Sequence, residues 1–101
     1  MSMPKNKSRV SVVIPTFNGK PYLEKNLPAV LKLKADEIIV VDDASTDTSV
    51  EVIDKFREIK LIKNPRNLRF PKTVNTGFAA AKGEVVVLLN QDVTPDENLL
   101  Q

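Results

Sequence analysis

Oxygen-bearing side chains gather at three places in this chain, each directly after a run of apolar residues. Residues 10–14 lead into Pro15-Thr16-Phe17-Asn18, residues 37–41 into Asp42-Asp43, and residues 84–89 into Asn90-Gln91-Asp92. A carboxylate only accepts hydrogen bonds, so it suits a ribose hydroxyl or the imide N–H of a pyrimidine base. Two adjacent carboxylates in an extended segment point to opposite sides, so one of Asp42 and Asp43 orders the loop and the other is free for a ligand. A single carboxylate such as Asp92, joined by phosphate oxygens, is a common way to hold Mg2+ or Mn2+. Each group also has a plainer role when taken alone. The Asp pair caps the next helix and favours its dipole. Asp92 is a turn residue before Pro95, Asn18-Gly19 is a turn, and Thr16 and Asn18 are helix caps. Three strand ends equipped in this way exceed what turns require.

The elements that must position these groups follow from the pattern. Continuous β-branched runs of this length predict parallel strands buried on both faces. The expected order is strand 10–16, helix 20–33, strand 37–42, helix 47–58, strand 59–63, helix 71–82 and strand 84–90, then a turn and a helix start near Pro95. Alternating strands and helices imply βαβ units with right-handed crossovers, in a three-layer α/β domain. The first helix carries Leu23, Leu27, Val30 and Leu31 on one stripe, and Pro28 predicts a kink or split in it. The second is expected to bury Val50, Ile53 and Phe56. The third is expected to bury Val74, Phe78 and Ala81 and to end at Gly83. A mostly parallel four-stranded sheet of order 3-2-1-4 opens a crevice between strands 1 and 4. Asp92 and Pro15-Thr16 then flank it, with Asp43 one strand away.

Composition removes several function classes. The chain has 101 residues, enough for one small domain, and no histidine or cysteine. The commonest general base, disulfides and thiolate metal sites are therefore excluded. A net charge of +2 gives no argument for nucleic acid as a partner. No apolar run approaches the roughly 20 residues that span a bilayer. Residues 1–9 are polar and basic without an apolar core, and are expected to be a flexible lead rather than a signal peptide. The basic stretch from Lys55 to Lys72 is mainly a solvated face, within which Arg66 and Arg69 sit in a loop where they could meet a diphosphate.

At these same residues the chain resembles the N-terminal nucleotide-binding half of family-2, GT-A-fold glycosyltransferases. The matching stretches are VSVVIPTFNG (10–19), EIIVVDDASTDTS (37–49), LIKNPRNLRF (61–70) and VNTGFAAAKGEVVVLLNQDV (74–93). Four ordered motifs cover nearly everything from Val10 onward. The resemblance implies the Rossmann-like half of a GT-A fold, a nucleoside-diphosphate sugar donor (UDP-, dTDP- or GDP-linked), Mg2+ or Mn2+, and inversion at the anomeric centre. Carried over residue by residue, Pro15 and Thr16 would line the nucleoside, Asp43 would contact the base, and Asp42 would support that loop. Asn18, Arg69 and Gln91 join the nucleotide-sugar set. Asn75 and Gly77 match small and polar positions near the diphosphate. Asp92 matches the last, metal-binding Asp of the DxD-type motif. Asn90 replaces that motif's first Asp, as in rhamnosyltransferase-like members, and Arg69 stands where the family often has Gly.

No catalytic base is expected among these residues, so residues 10–101 read as a truncated family-2 domain that is inactive alone. The resemblance implies a cytoplasmic setting, membrane-peripheral in a longer protein. An exposed fourth strand rich in Val and Leu predicts self-association. Two other readings stand beside this one: a non-catalytic nucleotide-binding or folding module, and a phospho-receiver domain with acidic groups at two strand ends.

Overall fold

Val, Ile and Leu residues in unbroken runs leave no polar face, so each strand must be covered on both sides. The computed structural model, which describes residues 8–100, shows that arrangement. β1 (Val10–Thr16), β2 (Glu37–Asp42), β3 (Ile59–Lys63) and β4 (Val85–Leu88) form one sheet of order β3-β2-β1-β4. All three pairings are parallel. The crossovers are α1 (Lys20–Leu31), α2 (Ser49–Ile53) and α3 (Arg69–Ala80). The order and class are those expected from the sequence.

Period-two alternation sorts the core. Val12, Ile14, Ile38 and Val40 pack with Leu23, Leu27, Val30, Val52 and Ile53 on the α1–α2 side. Val13, Ile39 and Val41 face α3 with Ala80 and Ala81. The α3 layer approaches closely because Gly77 has no side chain. A Cβ there would overlap Val13 Cγ1 and come within 3.2 Å of Val41 Cγ2.

Several local expectations need correction. α1 runs through Pro28 without a split. α2 spans five residues rather than 47–58, because Lys55 and Phe56 donate to Val52 and Ile53 three residues back and tighten the chain into turns. Ser49, Val52 and Ile53 are its buried residues, and Val50 is only half-buried. α3 starts at Arg69, and its Phe78 is exposed, because Gly77 and Val74 take the sheet-facing stripe. The helix ends at Ala81, whose backbone turns extended, before Gly83 is reached. Gly83 is small for a different reason: a Cβ would lie 2.7 Å from the Ser11 amide nitrogen. β4 stops at Leu88, and residues 97–100 form turns rather than a helix. Residues 1–7 of the expected lead lie outside the described residues. Arg9 is held, its N–H donating to Glu84 Oε1 at 3.1 Å while its carbonyl accepts from the Glu84 and Val85 amides.

At the N-terminal edge of the sheet, Glu37 ties three elements together. It accepts from the Ser11 hydroxyl at 2.7 Å, from the Lys82 amide at 2.8 Å and from the Lys60 ammonium at 2.5 Å. The Lys60 bond first, then those from Lys82 and Ser11, lower its pKa from 4.5 to about 2.

Candidate functional site

A parallel sheet brings every strand's carboxyl end to one edge, and the reversal of strand order beside β1 leaves a gap there. A cleft of about 600 Å³ lies at that edge. Pro15, Thr16 and Phe17 enter it from the end of β1, and Tyr22 from α1. Asp43 follows β2, while Asn67, Arg69, Phe70 and Thr73 come from the β3–α3 loop and α3. Asn90, Gln91 and Asp92 follow β4. Thr16, Asp43 and Asp92, distant in sequence, thus line a single cleft.

The two adjacent aspartates diverge as extended geometry requires, but neither carboxylate is free. Asp42 turns back on its own loop, accepting from the Ser45 amide at 3.0 Å and the Ser45 hydroxyl at 2.5 Å. Asp43 turns to the α3 side. Its Oδ1 accepts from Leu68 N–H at 2.7 Å and Asn64 Nδ2 at 2.9 Å, and its Oδ2 from Arg69 N–H at 3.0 Å. Burial pushes the Asp43 carboxyl up, but the bonds from Leu68 and Asn64, with Thr73 and Arg69 behind them, outweigh it and hold the pKa below the usual carboxylate value. The same bonds anchor Arg69 in the left-handed region, at φ 75°. A non-glycine residue held there is strained, and such strain gathers at functional sites.

The remaining predicted residues divide. Asn18 lies outside the cleft lining. Its backbone takes φ 49°, which Asn tolerates, and its Oδ1 accepts from the Thr46 amide at 2.7 Å and the Asp47 amide at 3.3 Å, clamping the β1–α1 loop to the β2–α2 loop. Asn75 is exposed on α3 away from the cleft, and Gly77 serves helix–sheet packing. Arg66 is exposed and does not line the cleft. Gln91 lines it, but its Oε1 accepts from the Thr16 hydroxyl at 2.6 Å and from Phe17 N–H at 3.1 Å.

Sequence reasoning missed Asn26, Asn64, Asn67, Thr73 and the aromatic pair Tyr22 and Phe70. Asn26 had a signal: a polar residue set between Leu23 and Leu27 on the buried stripe of α1. Asn64 and Asn67 sit just after β3, where the pattern of strand-end oxygens and amides repeats a fourth time.

The donor set of the cleft is oxygen-only. With Asp43 committed to N–H groups, Asp92, exposed and flanked by Asn90, is the carboxylate available to a hard divalent cation. Among the described residues no cluster of three or more His, Cys, Asp or Glu could cage a metal without substrate oxygens. That composition fits an ion shared with a phosphate ligand rather than a protein-only site.

The parallel sheet with its cleft at the carboxyl edge, beside the switch in strand order, defines an α/β domain of the Rossmann-like class. The chain belongs to glycosyl transferase family 2, whose model matches residues 11–101. It is 32% identical over 98 residues to the glycosyltransferase GlyG of Streptococcus pneumoniae serotype 4, covering 91% of this chain and 33% of that protein. Over 103 residues it is 34% identical to the poly(ribitol-phosphate) beta-N-acetylglucosaminyltransferase TarP of Staphylococcus aureus N315, covering 92% and 31%. The solved structure of the mannosyltransferase PcManGT from Pyrobaculum calidifontis, in complex with GDP-Man and Mn2+, matches at a TM-score of 0.84 with 27% identity, covering 94% of this chain and 31% of that one. S. aureus TarS 1-349 in complex with UDP-GlcNAc matches at 0.77 with 30% identity, covering 83% and 26%. The chain spans between 16% and 37% of the length of the curated relatives it matches. Family membership sets aside the phospho-receiver reading. Among the described residues no helix is long and apolar enough to cross a membrane.

Proposed function

We propose that this chain is the donor-binding half of an inverting glycosyltransferase, holding a nucleoside-diphosphate sugar across the carboxyl edge of the sheet. The supporting observation is the convergence of Thr16, Asp43 and Asp92 on one cleft from three strand ends. The nucleoside lies toward Pro15, Thr16 and the Asp43 turn, and the diphosphate toward Asp92. Asp92 would hold Mg2+ or Mn2+, which would supply positive charge to the phosphate oxygens of the donor. Arg69, exposed on the cleft rim, adds a second positive charge for the phosphates. The location carried with this function is the cytoplasm.

Inverting transfer needs a carboxylate near the acceptor hydroxyl. Of the two carboxylates in the cleft, Asp43 is committed to N–H donors and Asp92 to the metal, so the base comes from elsewhere. The 101-residue chain is therefore expected to bind donor without transferring sugar. Calorimetry with UDP, dTDP and GDP, each with and without Mn2+, tests this. Binding of one nucleotide, strengthened by Mn2+ and lost in part on Asp92→Asn, is the expected result. No binding of any nucleotide leaves the non-catalytic folding module as the better description, and sugar transfer by the isolated chain contradicts the assignment of roles.

A further inference from the structure

The segment carrying Asp92 lies beyond the sheet. β4 ends at Leu88, and the Leu89 amide donating to the Val13 carbonyl at 3.0 Å is the last bond to β1 of the ladder type. Past that point residues 90–93 close only a local turn, Val93 N–H to Asn90 O at 3.1 Å. Among the described residues, what ties this turn to the body of the domain is Gln91. Its side-chain oxygen accepts from Thr16 Oγ1 and Phe17 N–H, and its main-chain oxygen accepts from Asn26 Nδ2 at 2.9 Å. The other amide atom of Asn26, Oδ1, accepts from the Thr94 hydroxyl.

Two features mark these contacts as built. Asn26 is 3% exposed within an otherwise apolar stripe, a costly place for an amide unless both its polar atoms are used. Both are used, on residues either side of Asp92. Gly19, at φ −104°, needs no glycine for its backbone. A Cβ there would instead lie 2.7 Å from Gln91 Cδ and 2.8 Å from Thr16 Oγ1, so the position must be bare for Gln91 to seat.

We propose that Gln91 and Asn26 are positioning residues for Asp92, fixing the metal carboxylate through a clamp that joins the 90–94 segment to β1 and to the middle of α1. With Asn90 in place of a first acidic residue, no second carboxylate shares the ion, so precision falls to the scaffold holding Asp92. Groups that orient a metal ligand commonly change affinity about 10–100-fold when removed. The inference rests on Asp92 being the metal carboxylate and names what holds it there.

The test uses Asn26→Ala and Gln91→Leu beside Asp92→Asn in the 101-residue chain. Asn26 does not line the cleft, so an effect of its removal on metal-dependent binding travels through the residues it holds, Gln91 and Thr94. The readout is the ratio of UDP and GDP dissociation constants without and with Mn2+. Asp92→Asn is expected to bring the ratio to one. Asn26→Ala and Gln91→Leu are expected to cut it about 10-fold or more, and for Asn26→Ala, which lies outside the cleft lining, metal-free affinity is expected within about twofold of the unmodified chain's. If Asp92→Asn leaves the ratio intact, the metal assignment itself fails. If Asp92→Asn abolishes it while both clamp variants keep it, the positioning role fails and the donor site stands. A ligand-free arm decides the clamp should neither nucleotide bind: 15N relaxation is expected to show faster, wider motion of residues 90–93 in both variants with sheet amides unchanged. Unaltered order at residues 90–93 overturns the proposal.

Discussion

Replacing Asp43 by alanine removes one carboxylate from three N–H donors. Hydrogen bonds to charged groups are worth about 1.5–3 kcal/mol each when left unmade in the interior. Only the Asn64 amide is deeply buried, at 8% exposure, and it keeps one partner in the Thr73 hydroxyl. Its lost bond therefore costs about 2 kcal/mol. The Leu68 and Arg69 amides lie at the cleft rim and can take water instead, so each loses about 0.5–1 kcal/mol. The sum is about 3–4 kcal/mol, a large share of the ~5–15 kcal/mol that stabilises a domain. Asp43→Asn should cost less, about 1–2 kcal/mol, because its remaining oxygen can keep the Leu68 and Asn64 bonds while its NH2 confronts only the Arg69 N–H. The Asp43 pKa is lowered by folding, so this stabilisation is present above the ordinary Asp pKa and lost as pH falls through the folded value. Urea unfolding at pH 7 measures it, and nucleotide titration of the folded fraction reads the site. Loss of less than about 1 kcal/mol together with undiminished nucleotide affinity would refute both the clamp on the β3–α3 loop and the role assigned to it.

Glu37 gives a second pH-linked contribution with the same sign: its folded pKa is about 2 against 4.5, so its stabilisation is complete above pH 4.5 and disappears toward pH 2. Because the Lys60 side chain is 56% exposed, the share from that pair is discounted; Glu37→Gln should cost about 1–2 kcal/mol at pH 7 and much less at pH 2.5 by urea unfolding. Gly77→Ala places a methyl against Val13 and should destabilise by about 1–3 kcal/mol despite better helix propensity, and an unchanged thermal midpoint would refute the close packing of α3 on the sheet. Arg69→Gly relieves a left-handed backbone and should raise stability by about 1 kcal/mol while weakening nucleotide binding, opposite signs that calorimetry and urea unfolding separate; tighter binding would contradict a phosphate-facing role.

Much of this architecture was legible because its signals are local and redundant. Three β-branched runs with polar ends announce parallel strands and the edge at which ligands sit, and Thr16, Asp43 and Asp92 do share that edge. The failures have a common cause: pairwise satisfaction in space is invisible along the chain. Asp43 looked available until Leu68, Arg69 and Asn64 were found on it. Asn18 and Gln91 looked ligand-facing, yet each spends its side-chain oxygen on neighbouring loops. The second helix fell short of its periodic span because the chain tightens into three-residue turns at Lys55 and Phe56. Phe78 fits a helical stripe, but Gly77 beside it is what lets α3 approach Val13, and the phenyl ring is turned to solvent. The aromatics Tyr22 and Phe70 gave no periodic signal because they serve the cleft rather than the core.

Backbone amide mapping with UDP or GDP and Mg2+ tests the central claim most directly. Shifts should concentrate at Thr16, Phe17, Asp43, Arg69 and residues 90–92, and substituting Mn2+ should broaden residues 90–93 most strongly. Shifts centred instead on Arg9, Glu37, Lys82 and Gly83, at the opposite end of the strands, would contradict a sugar-nucleotide site at the carboxyl edge.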